Sequence, residues 1–277
     1  KYLTLAIFIL TFLFFGYSSK DFKLDASSDT LILENDKDLK KYQEIIDIYS
    51  TNEFLITTIS SQQKIIKDEN IQLIRNFVND LESLAWVSSV QSILDAPLLT
   101  INNQSLTDLV NEISTIESEN IDLIEAEYEL LHSPIFKDLL ISKNAKTTGV
   151  LVNFKRNDNF EKLTDQRDQL KLKNSLNDQE RDELNFINRL YEEEKIINDS
   201  NRSKNIAQIR EIIKEYEANY KLEFHLGGVP MIADDTISFV KNDIFIFGTG
   251  AFLFILIVLF LIFRRISWMI VCISNCI

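Results

Sequence analysis

Side chains able to do chemistry are sparse in this sequence and poorly grouped. There are two histidines, His132 and His225. His225 alternates with apolar residues in Lys221 to Leu226 (KLEFHL), and His132 lies in a helical run rich in acids. A histidine whose spacing places no partner beside it reads as structural or solvent-facing. The two cysteines, Cys272 and Cys276, stand i,i+4 in an apolar run. Two ligands fall short of a metal site, and no disulfide framework can form upstream. Carboxylates are plentiful, as in Glu192-Glu193-Glu194 and Asp234-Asp235. Among 42 acids such groups are expected to face water. Asp234-Asp235 precedes an apolar run and reads as a cap on the helix N-terminus there, ahead of a cation-entry role. Asn103-Gln104-Ser105, Asn198-Asp199-Ser200 and Asn201-Arg202-Ser203 match the N-glycosylation triplet, which arises by chance in a chain rich in Asn and Ser. No Gly-x-Gly-x-x-Gly or phosphate loop occurs, so nucleotide binding has no support. The residues imply no catalytic site, no cofactor, no metal and no enzyme activity. They assign no substrate-binding residue.

The elements that would position these groups are dominated by oily segments. Ile244 to Phe263 (IFIFGTGAFLFILIVLFLIF) has no charge and stops at Arg264-Arg265. About 20 apolar residues is the length of a helix that crosses a ~30 Å hydrocarbon core. Tyr2 to Phe15 is a shorter apolar run, and the chain starts at Lys1 rather than a methionine. Residues 1–19 are therefore expected to be a first span, clipped at its N-terminus. A cleaved signal peptide is the competing reading, but Tyr17 interrupts a small-residue cleavage site. Residues 241–265 are expected to form the second span and 266–277 the truncated start of a third.

Charge sets the expected orientation. None of the 42 Asp and Glu lies in 1–19 or 244–277, whereas Lys1, Arg264 and Arg265 do. Lys and Arg in short loops mark the cytoplasmic side. Residues 20–240 are then periplasmic, and the protein is expected to be multi-pass in the inner membrane with the lipid bilayer as a partner. A region more acidic than the whole chain's −13 is not a nucleic-acid binder, which needs a basic face. No ionisable residue lies between Ile244 and Phe263, so a proton pathway is not expected there.

Between the spans, the periodicity alternates between helix and strand. Asp36 to Tyr49 places Leu39, Tyr42, Ile45, Ile46 and Tyr49 at helical spacing. Phe54 to Ile59 reads as a strand, 68–83 as a helix with Ile71, Ile74, Phe77, Val78 and Leu81 on one face, and Trp86 to Leu94 as a second strand. After Asp95-Ala96-Pro97 and a looser stretch to about Glu119, residues 121–141 read as helical with a candidate break at Pro134. Thr147 to Phe154 is a strand. Residues 160–218 form a charged helical excursion with turn signals near Asn174–Asp178 and Asp199–Ser203. Lys221 to Leu226 is the last strand, ending at Gly227-Gly228. Two split βαβ halves would build one α+β ferredoxin-like domain carrying a helical insertion at about 160–218.

This order resembles the first half of resistance-nodulation-division (RND) superfamily exporters, in the lipid-exporter-like branch that includes the mycobacterial membrane protein large (MMPL) group. The similarity lies in Phe22 to Leu31, Glu34-Asn35-Asp36, the Tyr42 helix and Val87 to Leu94 running to Pro97-Leu98-Leu99. It continues in Gly227-Gly228-Val229-Pro230, and in Arg264-Arg265-Ile266-Ser267-Trp268. The resemblance implies a porter domain handling hydrophobic or lipid-like substrates, and proton-driven efflux powered by later spans that this sequence lacks. The implied partners are those missing spans of the same polypeptide, further copies of the chain, and periplasmic proteins. The alternative is a two-span receptor with an extracytoplasmic sensing domain. It needs a polar signalling segment after Arg265, where Ile266 to Ile277 is apolar. A secreted helical adhesin-like domain would leave the second span unexplained.

Overall fold

A computed structural model of the chain describes Leu10, Thr11, Phe14, Tyr17 and residues 53–99, 114–119, 121–173 and 175–266. The expected helix at 36–49, most of the first span, Asn103, both cysteines and all but Ile266 of the third run lie outside them. Of the resemblance segments, the same holds for Phe22 to Leu31, Glu34-Asn35-Asp36 and Tyr42. The chain divides into two compact units: Glu34–Asp234, and Lys1–Leu33 with Asp235–Ile277.

In the first unit, β-branched and aromatic residues alternate with small polar ones, and the alternation makes a sheet with one dry face. The strands are β1 (Phe54–Ser61), β2 (Val87–Gln91), β3 (Thr147–Phe154) and β4 (Leu222–Gly227). Their order is β2-β3-β1-β4, and every neighbouring pair is antiparallel. β1 and β2 are thus parallel with β3 between them, and β3 and β4 are parallel with β1 between them. On the dry face Leu55 lies opposite Val152, Thr57 opposite Val150, and Ile59 opposite both Thr148 and Phe224.

Helices supply the second layer of the core. α1 (Asp68–Glu82) joins β1 to β2 and buries Ile71, Leu73, Ile74, Phe77 and Leu81, the i, i+3, i+4 stripe of an amphipathic helix. β2 gives way to a single 3₁₀ turn, Ile93–Asp95, where Ser92 and Asp95 cap each other's backbone. This turn ends the strand before the Leu94 that its alternation suggested. α2 (Leu123–His132) is capped by Asp122, whose carboxylate accepts from the Ile124 N–H at 2.8 Å. It is far shorter than the 121–141 helix of the sequence reading. Pro134 disfavours helical geometry at Ser133, and the chain turns through Asp138 (φ 63°) instead. Glu127, buried on α2, is held by an ion pair to Lys64, which ties α2 to the loop after β1.

β3 and β4 are joined by a helical hairpin. α3 (Asp158–Lys171) is followed by α4 (Asp178–Asn219), which starts with a reciprocal cap between Asn177 and Glu180. Glu180 also takes a hydrogen bond from Lys173, and that bond chiefly holds its carboxyl below the usual range. α4 has 42 residues, about 63 Å at 1.5 Å per residue. The turn suggested at Asp199–Ser203 does not exist: the helix runs straight through. Neither Gly nor Pro interrupts it, and Arg202 pairs with Asp199 one turn back and with Glu53 at 3.1 Å. The first half of α4 packs on α3, where Arg167 lies 3.9 Å above the Tyr191 ring and Phe160 stacks on the same ring. The second half turns Ile206, Ile209, Ile213 and Tyr216 into the sheet core. Phe77 fills the centre, edge-on to Tyr216 and tilted against Phe224, both at 5.1 Å.

The remaining element is α5 (Val229–Phe263), which starts in the first unit and whose residues from Asp235 belong to the second. It is the one described helix long and apolar enough to cross a membrane.

Candidate functional site

The candidate site is the passage from β4 into α5, because an unusual backbone there starts an unusually apolar helix. Gly227 ends β4 paired with Ile56, and Gly228 then takes φ 128°, a region that side chains other than hydrogen rarely allow. A Cβ at Gly228 would stand 2.9 Å from the Phe54 carbonyl oxygen and 3.2 Å from a Leu55 methyl. The glycine is therefore required twice, by its dihedral and by the closeness of β1. The chain then enters α5 at Val229, and the Ile232 N–H donates to the Gly228 carbonyl at 3.1 Å. Pro230 is buried in the first turn, where its missing N–H costs nothing and its fixed φ suits the helix. Met231 packs against the sheet core.

This start corrects the reading of Asp234-Asp235 as a helix cap. α5 begins five residues earlier, and its first turn contains no acid. The two carboxylates sit in the second turn, away from the free N–H groups that a cap satisfies.

Beyond Asp243 the helix becomes apolar all round. Ile244, Phe245, Ile246, Phe247, Phe254, Leu261 and Ile262 are each more than half exposed, and Pro230 is the one buried residue of α5. A helix apolar on every face belongs in a hydrocarbon solvent or a helical bundle, since water would not tolerate such a surface. The 20 residues from Ile244 to Phe263 rise about 30 Å. The helix ends by geometry as well as by charge: Arg264 adopts φ 49° and its N–H donates to the Phe260 carbonyl at 2.8 Å. That left-handed residue closes the last turn where glycine is the usual choice.

Among the described residues, the side chains weighed for chemistry are not brought together. His132 ends α2, stacked on Tyr128 at 4.0 Å, with Nδ1 2.8 Å from the Tyr128 carbonyl oxygen. His225 lies on the outer face of β4 opposite Thr58. Glu192 and Glu193 are exposed on α4, whereas Glu194 is half-buried and accepts from Asn157. Asn198 and Asn201 lie inside α4, and Asn198 also accepts from Asn157 at 3.4 Å. Among the described residues no cluster of three His, Cys, Asp or Glu side chains is placed to hold a metal ion. Sequence reasoning missed the Lys64–Glu127 and Arg202–Glu53 pairs, because they join residues far apart in the chain. It also missed the 2.5 Å bond from the Tyr216 hydroxyl to Asp80. Burial, followed by this bond, pushes the Tyr216 phenol well above its ordinary value.

Residues 197–275 match the model of the MMPL family. The match takes in the sheet-facing half of α4, β4, the glycine junction and all of α5. Neither a curated protein nor a solved structure matches the chain. The segment that carries the match also carries the glycine junction and the apolar helix: over residues 197–275 the chain is similar to the MMPL family, the group of RND-superfamily transporter-like membrane proteins to which the sequence resemblance pointed.

Proposed function

We propose that the chain contributes the porter end of a proton-driven inner-membrane exporter that moves hydrophobic or lipid-like molecules outward, and that it has no enzymatic role. One observation carries this reading: the MMPL match runs without a break from the helix that cores the sheet domain, through β4, into the apolar helix α5. The soluble domain is a ferredoxin-like porter domain with the α3–α4 hairpin as its elaboration. Support comes from the strand order β2-β3-β1-β4, in which each parallel pair is split by a strand of the other half. The domain faces the periplasm, and Arg264-Arg265 face the cytoplasm. Proton coupling falls to side chains outside α5, whose apolar stretch holds no ionisable group. The bilayer, the lipid-like cargo, further spans and periplasmic proteins are its partners.

Orientation is tested with single cysteines in a Cys272→Ser, Cys276→Ser background. Ser203→Cys should react with a membrane-impermeant maleimide in spheroplasts, and Ile266→Cys only after lysis. The reverse pattern would overturn the topology. Coupling is tested with Asp234→Asn in membrane vesicles of the whole transporter. Proton-dependent efflux should persist; its loss in a normally inserted variant would place coupling in this region and refute the assignment.

A further inference from the structure

The outer face of α4 carries a largely exposed stripe, on which Leu190 alone is half-buried. α3 covers the side of α4 bearing Ile187, Tyr191 and Glu194, through the Phe160 stack, the Arg167 contact and Asn157. About a quarter-turn away lie Phe186, Leu190, Glu193 and Ile197, spaced four, three and four residues apart and so on one helix face. Phe186 is 55% exposed and Ile197 54%, with Ile196 beside it at 51%. Arg189 and Glu193 make no ion pair among the described residues. The stripe reads apolar, basic, apolar, acidic, apolar along the helix.

That order is self-complementary in one direction only. A two-fold axis placed between Tyr191 and Glu192 sets Phe186 of one chain against Ile197 of the other, and Leu190 against Glu193. It also brings Arg189 alongside the opposing Glu193, forming two identical ion pairs across an isologous contact. Parallel alignment would instead place Glu193 against Glu193 and Arg189 against Arg189, and like charges in register oppose pairing.

We propose that this face of α4 is a homotypic docking surface, on which a second copy of the chain pairs antiparallel through Phe186, Arg189, Leu190, Glu193 and Ile197. The inference rests on the hairpin alone and holds whatever the chain transports.

The test uses the full chain in its membrane, with Cys272 and Cys276 replaced by serine. Phe186→Cys and Ile197→Cys versions, carrying different tags, are expressed separately and together, then oxidised. Together they should give a disulfide-linked dimer at least tenfold above either alone. In the antiparallel register two copies of position 186 stand 11 residues apart, about 16 Å, beyond the roughly 7 Å reach of a disulfide. Equal cross-linking by each version alone, or none in the mixture, overturns the proposal. Charge reversal gives a second readout: Arg189→Glu and Glu193→Arg should each lower dimer yield severalfold, and the double variant should restore it. Circular dichroism checks that each variant keeps its helix. Reversals that leave the yield unchanged, or a double variant no better than the singles, also overturn it.

Discussion

In α4, six side chains of 42 residues are buried, two against α3 and four against the sheet, and most of the remainder is charged or polar. In α5 a single residue, Pro230, is buried, yet the last 20 residues are almost wholly apolar. The two helices are similarly long and adjacent in the chain, separated by one six-residue strand. The contrast teaches that helix length says little about solvent. α4 survives in water because sparse anchors at i, i+3, i+4 spacing are covered, while its N-terminus is capped by the Asn177 side chain. α5 needs no packed stripe if lipid surrounds it, because the backbone satisfies itself internally and every side chain suits hydrocarbon.

The largest expected break in this contrast comes from charging both helices alike. Leu253→Arg with Ile257→Arg should cost about 5–7 kcal/mol of insertion energy near mid-span, and the fraction resisting carbonate extraction should collapse. Asn185→Arg with Ser203→Arg, on exposed positions of α4, should shift the unfolding free energy by about 0.5 kcal/mol or less each. An equal effect in the two helices would mean that α5 does not sit in lipid. Next is Gly228→Ala, which brings a methyl against the Phe54 carbonyl at a disfavoured φ. A loss of about 2–3 kcal/mol is expected by denaturant melt, since both overpacking and left-handed strain apply.

Tyr216 sharpens the comparison through pH. Its phenol is raised in the fold, so its contribution is complete below the ordinary tyrosine value of 10.0 and is lost as pH climbs toward the folded value. Thermal stability should therefore fall on alkaline titration above that point. Tyr216→Phe should flatten this loss and cost about 1 kcal/mol at neutral pH through the missing bond to Asp80. A profile unchanged by the substitution would show that the phenol is not coupled to folding. The smallest effect is a gain. The Thr57 hydroxyl is fully buried with no partner among the described residues, so Thr57→Val should stabilise by about 1 kcal/mol in the same melt. A loss would mean that the hydroxyl is satisfied after all.

Local pattern made much of this legible. β1, α1 and β3 fall within a residue or two of their expected bounds, because alternation or a 3.6-residue stripe marks a half-buried element wherever it packs. The helical hairpin was visible as the charged helical run over 160–218 with its turn signal near Asn174–Asp178. What failed were boundaries decided by partners. Asp199–Ser203 has the composition of a turn, but Arg202 bonded to Glu53 and Asp199 keeps it helical. Asp234-Asp235 looked like a cap, but the backbone had already turned at Gly228, against β1. The site shares this limit: the Gly227-Gly228 punctuation was readable, whereas the Phe54 carbonyl that enforces it lies far away in sequence.

The sequence alone determined the two compositions: an acidic, alternating region whose polar side chains suit water, and an uncharged run from Ile244 to Phe263, stopped by two arginines, long and apolar enough to cross a membrane. Those preferences follow from transfer free energies that each residue carries wherever it sits. Tertiary structure decided the order β2-β3-β1-β4, the unbroken α4 and the left-handed glycine at the root of α5. Each depends on atoms brought together from distant positions, and no local pattern encodes that proximity.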